Sequence, residues 1–104
     1  GLLRRANYRR NQGEYAEAER TYMQVLRRSP NNSRALAGMT RLAMARGQND
    51  AAVRWAQQLV HNRGSNPSNH ILLGDAQAAA GGEASWRRAL EMQPGYRPAL
   101  RRLQ

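Results

Sequence analysis

GEYAEAERTYMQVLRRSPNN, residues 13–32, opens on a glycine, runs through a segment free of Gly and Pro over 15–28, and closes on Ser29-Pro30-Asn31-Asn32. That segment predicts a helix over 15–28. Gly13 stands where a preceding helix, over 2–12, must end in a left-handed residue, a conformation in which glycine alone avoids a Cβ penalty. Pro30 ends the second helix because it has no N–H to donate, and the Ser and Asn beside it can cap the next one.

Working outward, the same punctuation returns. Gly13, Gly47 and Gly81 are each 34 residues apart, as are Leu2 and Leu36, Met39 and Leu73, Ala18 and Ala52, and the small residues Ala6, Thr40 and Gly74. The helices predicted between these markers are 2–12 with 15–28, 34–46 with 49–62, and 68–80 with 83–92, followed by another from about 97. Gly64-Ser65-Asn66-Pro67-Ser68 and Gln93-Pro94-Gly95 mark the other breaks. The third unit is irregular. Tyr22 and Ala56 are followed by Trp86 after 30 residues, and Leu26 and Val60 by Leu90 after 30. Losing four residues removes about one turn, roughly 400° and 6 Å, which keeps the buried face and shortens the helix. Two origins stay open, a natural shortening and a loop absent from this sequence.

These residues resemble the tetratricopeptide repeat family, whose 34-residue unit places large, small, aromatic, small and Pro residues at fixed offsets. The first unit offers Gly13-Glu14-Tyr15, Ala18, Tyr22, Leu26 and Pro30-Asn31-Asn32, although Arg5 and Arg9 stand where the family has a large apolar and an aromatic residue. The second offers Leu36, Met39, Thr40, Gly47, Ala52, Ala56, Leu59 and Val60, with Gly64 in place of Pro. The third offers Leu73-Gly74, Gly81, Trp86, Ala89, Leu90 and Pro94, and Leu100 and Leu103 begin the spacing again. The resemblance implies an all-α fold, a right-handed α-solenoid of antiparallel helix pairs: one array over 1–104 with units of about 1–32, 33–66 and 67–96 and a terminal helix 97–104, a fragment of a bacterial scaffold protein. Small residues let paired helices approach, larger ones fill the space between layers, and stacking buries what no single pair buries alone.

Carried over position by position, the family's concave surface falls on Asn7, Arg10, Asn11, Arg34, Ala37, Arg41, Met44, Ala45, Ser68, Ile71, Asp75, Ala78 and Ala79. The resemblance implies a groove that binds a peptide or helix of a partner protein and catalyses nothing. Arg10, Arg34, Arg41 and Asn7 suit a carboxylate, whereas Ala37, Met44, Ile71 and Ala78 suit an apolar face. One specialised branch of the family clamps a C-terminal carboxylate at five positions. Here these read Leu3, Asn7, Gly38, Ser68 and Leu72, and Asn7 alone fits.

Composition bounds the partners. Of 104 residues, 17 are basic and 7 acidic, for a formal charge of +10, and every basic residue is Arg. Such a chain attracts acidic peptides, nucleic acid and anionic surfaces and repels basic partners. Codon bias accounts equally well for the missing Lys. Nucleic-acid binding is the alternative function, disfavoured because the expected groove has no aromatic residue on which bases could stack. Open repeat ends, with apolar residues at 1–9 and 97–104, predict self-association. Without Cys, disulfides and thiolate metal sites are excluded. No apolar run approaches the roughly 20 residues a bilayer span needs, and Gly1-Leu2-Leu3-Arg4-Arg5 is no signal peptide. The compartment stays open between cytoplasm and periplasm.

No residue set calls for a cofactor, a metal or a catalytic role. His61 and His70 lack the neighbours for a metal site or a base–nucleophile pair. His70 shares the register of Leu2 and Leu36 and is expected in packing; His61 is expected at a helix end, where a cation suits the dipole. Glu14, Glu17 and Glu19 read as the solvated start of a helix, and Gly81-Gly82 lacks the strand and Lys of a phosphate loop. Trp86 falls at a large core position and Trp55 beside one, so packing is expected for both.

Overall fold

The computed structural model describes residues 1–80 and 84–103. Among these residues there are seven helices and no strand: α1 Leu2–Asn11, α2 Tyr15–Arg28, α3 Ser33–Ala45, α4 Asn49–Asn62, α5 Pro67–Ala79, α6 Ala84–Met92 and α7 Arg97–Leu103. Each helix packs on the next, and α1 also touches α3, as α3 touches α5. The chain is thus an all-α solenoid of helix pairs, 36 × 24 × 20 Å, with the first helix of each pair lined up along one wall.

The pair boundaries follow from local backbone chemistry. Gly13 and Gly47 have φ of +81° and +73°. After α1, the Gly13 N–H donates to the Arg10 carbonyl at 3.1 Å and the Glu14 N–H to Arg9 at 2.9 Å. After α3, the Gly47 N–H donates to Met44 at 3.1 Å and the Gln48 N–H to Ala43 at 2.8 Å. These are two Schellman closures on the same register, satisfying carbonyls the helix leaves orphaned. Gly81, in the same register, lies outside the described residues. The other breaks use asparagine: Asn32 Oδ1 accepts from the Ala35 N–H at 2.9 Å, and Asn66 Oδ1 from the Ser68 N–H at 2.9 Å.

The core runs between layers. Ala6, Ala18, Tyr22, Leu26, Ala35, Leu36, Met39, Leu42, Leu59 and Leu72 form its largest cluster, continued by Ala43, Ala52, Ala56, Leu73 and Ala76 and then by Ile71 with Ala89. Ala6, Ala18, Thr40 and Ala52 are fully buried, as close helix approach requires. Thr40 turns its hydroxyl back to the Leu36 carbonyl at 2.9 Å, so its buried polar atom is satisfied. His70 is buried and its Nε2 lies 3.0 Å from the Gly64 carbonyl oxygen, tying the start of α5 to the break before it. Trp55 is half-buried and packs on both larger clusters, while the Trp86 side chain lies outside the described residues. Among the described residues α6 has nine residues and α2 and α4 fourteen each, the expected start of α6 at 83 lying outside the described residues.

Candidate binding groove

The wall formed by α1, α3 and α5 carries the side chains expected at the concave face, and they divide into two places. Between α3, α5 and α7 a cleft of about 400 Å³ is lined by Arg41, Met44, Ser68, Ile71, Leu72, Asp75, Tyr96 and Pro98. Five of these belong to the set expected in the groove. Asn7, Arg10 and Asn11 gather instead near α2 (below), and Arg34, Ala37, Ala45, Ala78 and Ala79 do not line the cleft. Ile71 differs from the expectation of an open apolar contact: it is 7% exposed and packs on Ala89, because α6 folds over α5, so it serves as floor rather than wall.

Tyr96 corrects the expectation that the groove holds no aromatic residue. Applying the 30-residue interval of the third unit, Asn32 and Asn66 lead to Tyr96. Its carbonyl accepts from the Leu100 N–H at 3.2 Å, as that of Asn32 accepts from Leu36 at 3.0 Å. Tyrosine cannot cap as asparagine does. Its hydroxyl instead lies 2.7 Å from Ser68 Oγ, which draws the ring into the cleft. The register shift in the third unit was the signal that could have found it.

The second place is built around a core residue. Tyr22, on α2, is fully buried, and its ring passes under α3 at Gly38. A Cβ there would sit 2.8 Å from the phenol oxygen and closer still to two ring carbons. Beyond that crossing, the Tyr22 hydroxyl donates to Asn7 Oδ1 and accepts from Arg10 Nη1 at 3.0 Å. A weaker contact joins Arg10 Nη2 to Asn11 Oδ1 at 3.5 Å. Burial raises the phenol above its ordinary value of 10.0, while Arg10 and Arg41 pull it down. Arg10 bonds the phenol directly, and Arg41 stands three residues after Gly38 on the helix the ring passes under. The clamp positions serve other ends here: Asn7, the one residue that fits the clamp, is engaged by Tyr22, Gly38 makes room for the Tyr22 ring, and Leu72 is 6% exposed.

Acidic side chains are engaged elsewhere. Arg9 pairs with Glu14 at 3.5 Å, Arg46 with Glu19 at 3.1 Å, Arg88 with Glu91 at 3.1 Å, and Arg20 with Glu17. The sequence alone predicts only solvation for the glutamates at 14, 17 and 19; Glu19 instead reaches from α2 to the end of α3. Such exposed pairs contribute roughly 0–1 kcal/mol each. Among the described residues Arg10, Arg34 and Arg41 have no carboxylate partner. Several outer arginines, Arg27 and Arg54 among them, share that property, so it marks nothing alone. Arg10 is set apart by being half-buried and held by neutral oxygens. Among the described residues no three His, Asp or Glu side chains assemble as metal ligands, and no helix is long and apolar enough to cross a membrane.

The family model of the tetratricopeptide repeat matches residues 10–75. The chain belongs to the tetratricopeptide repeat family. Solved structures agree with that membership. A mutant of the Thermobaculum terrenum O-GlcNAc transferase is 30% identical over 94% of this chain with a TM-score of 0.81; the chain spans 20% of the transferase's length. The first TPR domain of Spaghetti (RPAP3), bound to the HSP90 peptide SRMEEVD, is 21% identical over 98% of this chain and 84% of its own, with a TM-score of 0.87. MamA is 25% identical over 90% of this chain and 57% of its own, with a TM-score of 0.74. No curated protein matches the sequence significantly. Within the tetratricopeptide repeat family such solenoids commonly serve as protein-interaction scaffolds.

Proposed function

We propose that this chain is a non-catalytic scaffold segment whose concave wall binds a peptide or helix from a partner protein, through acidic and apolar side chains of that partner. The observation that carries the reading is the adjacency of two surfaces. A cleft with Met44, Ile71, Leu72, Tyr96 and Pro98 accepts an apolar side chain, and Arg41, which also lines it, stands on α3, the helix that touches α1 and its half-buried Arg10. Clefts that join an apolar lining to a few placed polar groups are the usual form of a recognition site. The peptide held by the Spaghetti domain also mixes acidic and apolar residues, which supports the reading by likeness of fold. In this view the concave set of Asn7, Arg10, Asn11, Arg34, Ala37, Arg41, Met44, Ile71, Asp75 and Ala78 contains the contact surface.

Selection of a random peptide library on the immobilised chain tests it. Enriched peptides are expected to bind the wild type and the outer-face variant Arg27→Glu alike, and to lose at least tenfold in affinity for Arg41→Glu, about the effect of losing one charge-assisted contact. Enriched peptides indifferent to Arg41→Glu overturn the groove assignment.

Self-association is a second reading, favoured by Tyr8 and Leu100, which are 62% and 39% exposed on the first and last helices. Stacking of one chain's α1 on another's α7 would cover both. Sedimentation velocity over a concentration series decides it: mass that rises with concentration supports stacking, and a constant monomer mass removes it.

A further inference from the structure

Among the charged side chains of the concave wall, Arg10 is the one whose position the core dictates. It leaves α1 and meets Tyr22, a residue of α2 whose ring is locked under Gly38 of α3. The single phenol proton goes to Asn7 Oδ1, which leaves the oxygen free to accept from Arg10. Of the five N–H groups on the Arg10 guanidinium, the contacts with Tyr22 and Asn11 use two. The rest remain to donate. Arg41 stands on α3 three residues after Gly38, the residue the Tyr22 ring touches, and so lies on the same side of that helix, which also touches α1.

We propose that Arg10 and Arg41 form a seat for the side-chain carboxylate of an acidic residue in the bound segment, with Tyr22 as the positioning residue that holds Arg10 ready. The inference deepens the peptide-groove reading and rests on it. A guanidinium fixed beforehand loses less side-chain freedom when a carboxylate arrives, so more of the contact is expressed as affinity. The seat differs from the family's terminal-carboxylate clamp in residues and ligand, since it takes a carboxylate from within a segment. The apolar floor beside Arg41 places an apolar side chain of the same segment next to the acidic one.

The probe is the blocked peptide acetyl-Ala-Glu-Glu-Leu-amide, which has no terminal carboxylate, titrated into isotopically labelled protein while the side-chain N–H resonances of arginine are followed by NMR. Saturable shifts are expected at Arg10 and Arg41 but not at Arg20 or Arg88, which already pair with Glu17 and Glu91. Replacing both Glu by Gln should weaken binding at least tenfold. Tyr22→Phe, which keeps the ring in its place under Gly38, should weaken the Glu peptide about tenfold and leave the Gln peptide unchanged, with an unaltered amide spectrum elsewhere. Equal binding of the Glu and Gln peptides, equal shifts at Arg20, or tighter binding of the phosphoserine analogue overturns the carboxylate seat. Identical affinity of Tyr22→Phe overturns the positioning role. Should library peptides still depend on Arg41 while no Glu dependence is found, the seat fails and the groove survives; loss of both removes the groove reading itself.

Discussion

Gly38 and Tyr22 are in mutual contact across two helix pairs: a Cβ on Gly38 would lie 2.8 Å from the Tyr22 phenol oxygen. A glycine in mid-helix costs about 1 kcal/mol relative to alanine by propensity alone, so Gly38→Ala should stabilise α3 considered in isolation. In the folded chain the added methyl meets a fully buried ring with no room to yield. Overpacking of that kind costs about 1–3 kcal/mol, and displacing the ring also breaks its bonds to Arg10 and Asn7. The expected sum is a loss of about 1–2 kcal/mol, read as a lower urea midpoint. A midpoint equal to or above that of the wild type would show that the ring does not lie against α3.

The paired Schellman closures make a second prediction. Gly13 and Gly47 have φ of +81° and +73°, and a Cβ added at either would meet no atom within 4 Å, so alanine there is strained by backbone conformation and not by crowding. Each substitution should cost about 1 kcal/mol. Because neighbouring units of a solenoid unfold partly on their own, Gly13→Ala should speed hydrogen exchange mainly in α1 and α2, and Gly47→Ala mainly in α3 and α4. Uniform acceleration in both variants would mean that the chain opens as one unit.

These features show why some of the structure was legible beforehand. The glycine closures, the Asn-bearing breaks and the buried small residues Ala6, Thr40 and Ala52 answer needs of the local backbone or of close helix approach, and such needs recur at a fixed interval. Tyr96 was hidden because its place depends on the altered interval of the third unit and on a phenol standing where Asn stands elsewhere. The route of Tyr22 to the groove was hidden because it requires Gly38, a residue of another helix pair, to lack a side chain. Ion pairs were hidden for a simpler reason. Long side chains such as Arg46 find Glu19 from 27 positions away, a distance no periodicity records.

Alkaline pH supplies a test of the buried phenol. Burial raises the Tyr22 pKa above 10.0, so the folded state favours the neutral form while the unfolded chain releases its proton near the ordinary value. The unfolded state then binds fewer protons above about pH 10, and stability falls as pH rises. The contribution is complete below that pH and is lost as pH climbs toward the folded-state pKa. Tyr22→Phe lacks this term. Its melting temperature should therefore decline less between pH 9 and pH 11 than that of the wild type, measured by circular dichroism; parallel declines would show a phenol that ionises as freely when folded as when unfolded.

Nucleic acid remains the competitor suggested by the charge of +10, and Tyr96 gives it one aromatic ring at the groove. A single stacked base contributes about 1–3 kcal/mol, too little for sequence-tolerant gripping of a strand unless a basic stripe adds to it. That stripe is interrupted by Asp75 in the same cleft. A fluorescent single-stranded oligonucleotide should accordingly bind weakly, lose its affinity by ~200 mM salt as released counterions cease to favour the complex, and be insensitive to Tyr96→Ala. Binding that persists above that salt and falls with Tyr96→Ala would show bases stacking in the cleft, and the peptide reading would then yield to a nucleic-acid one.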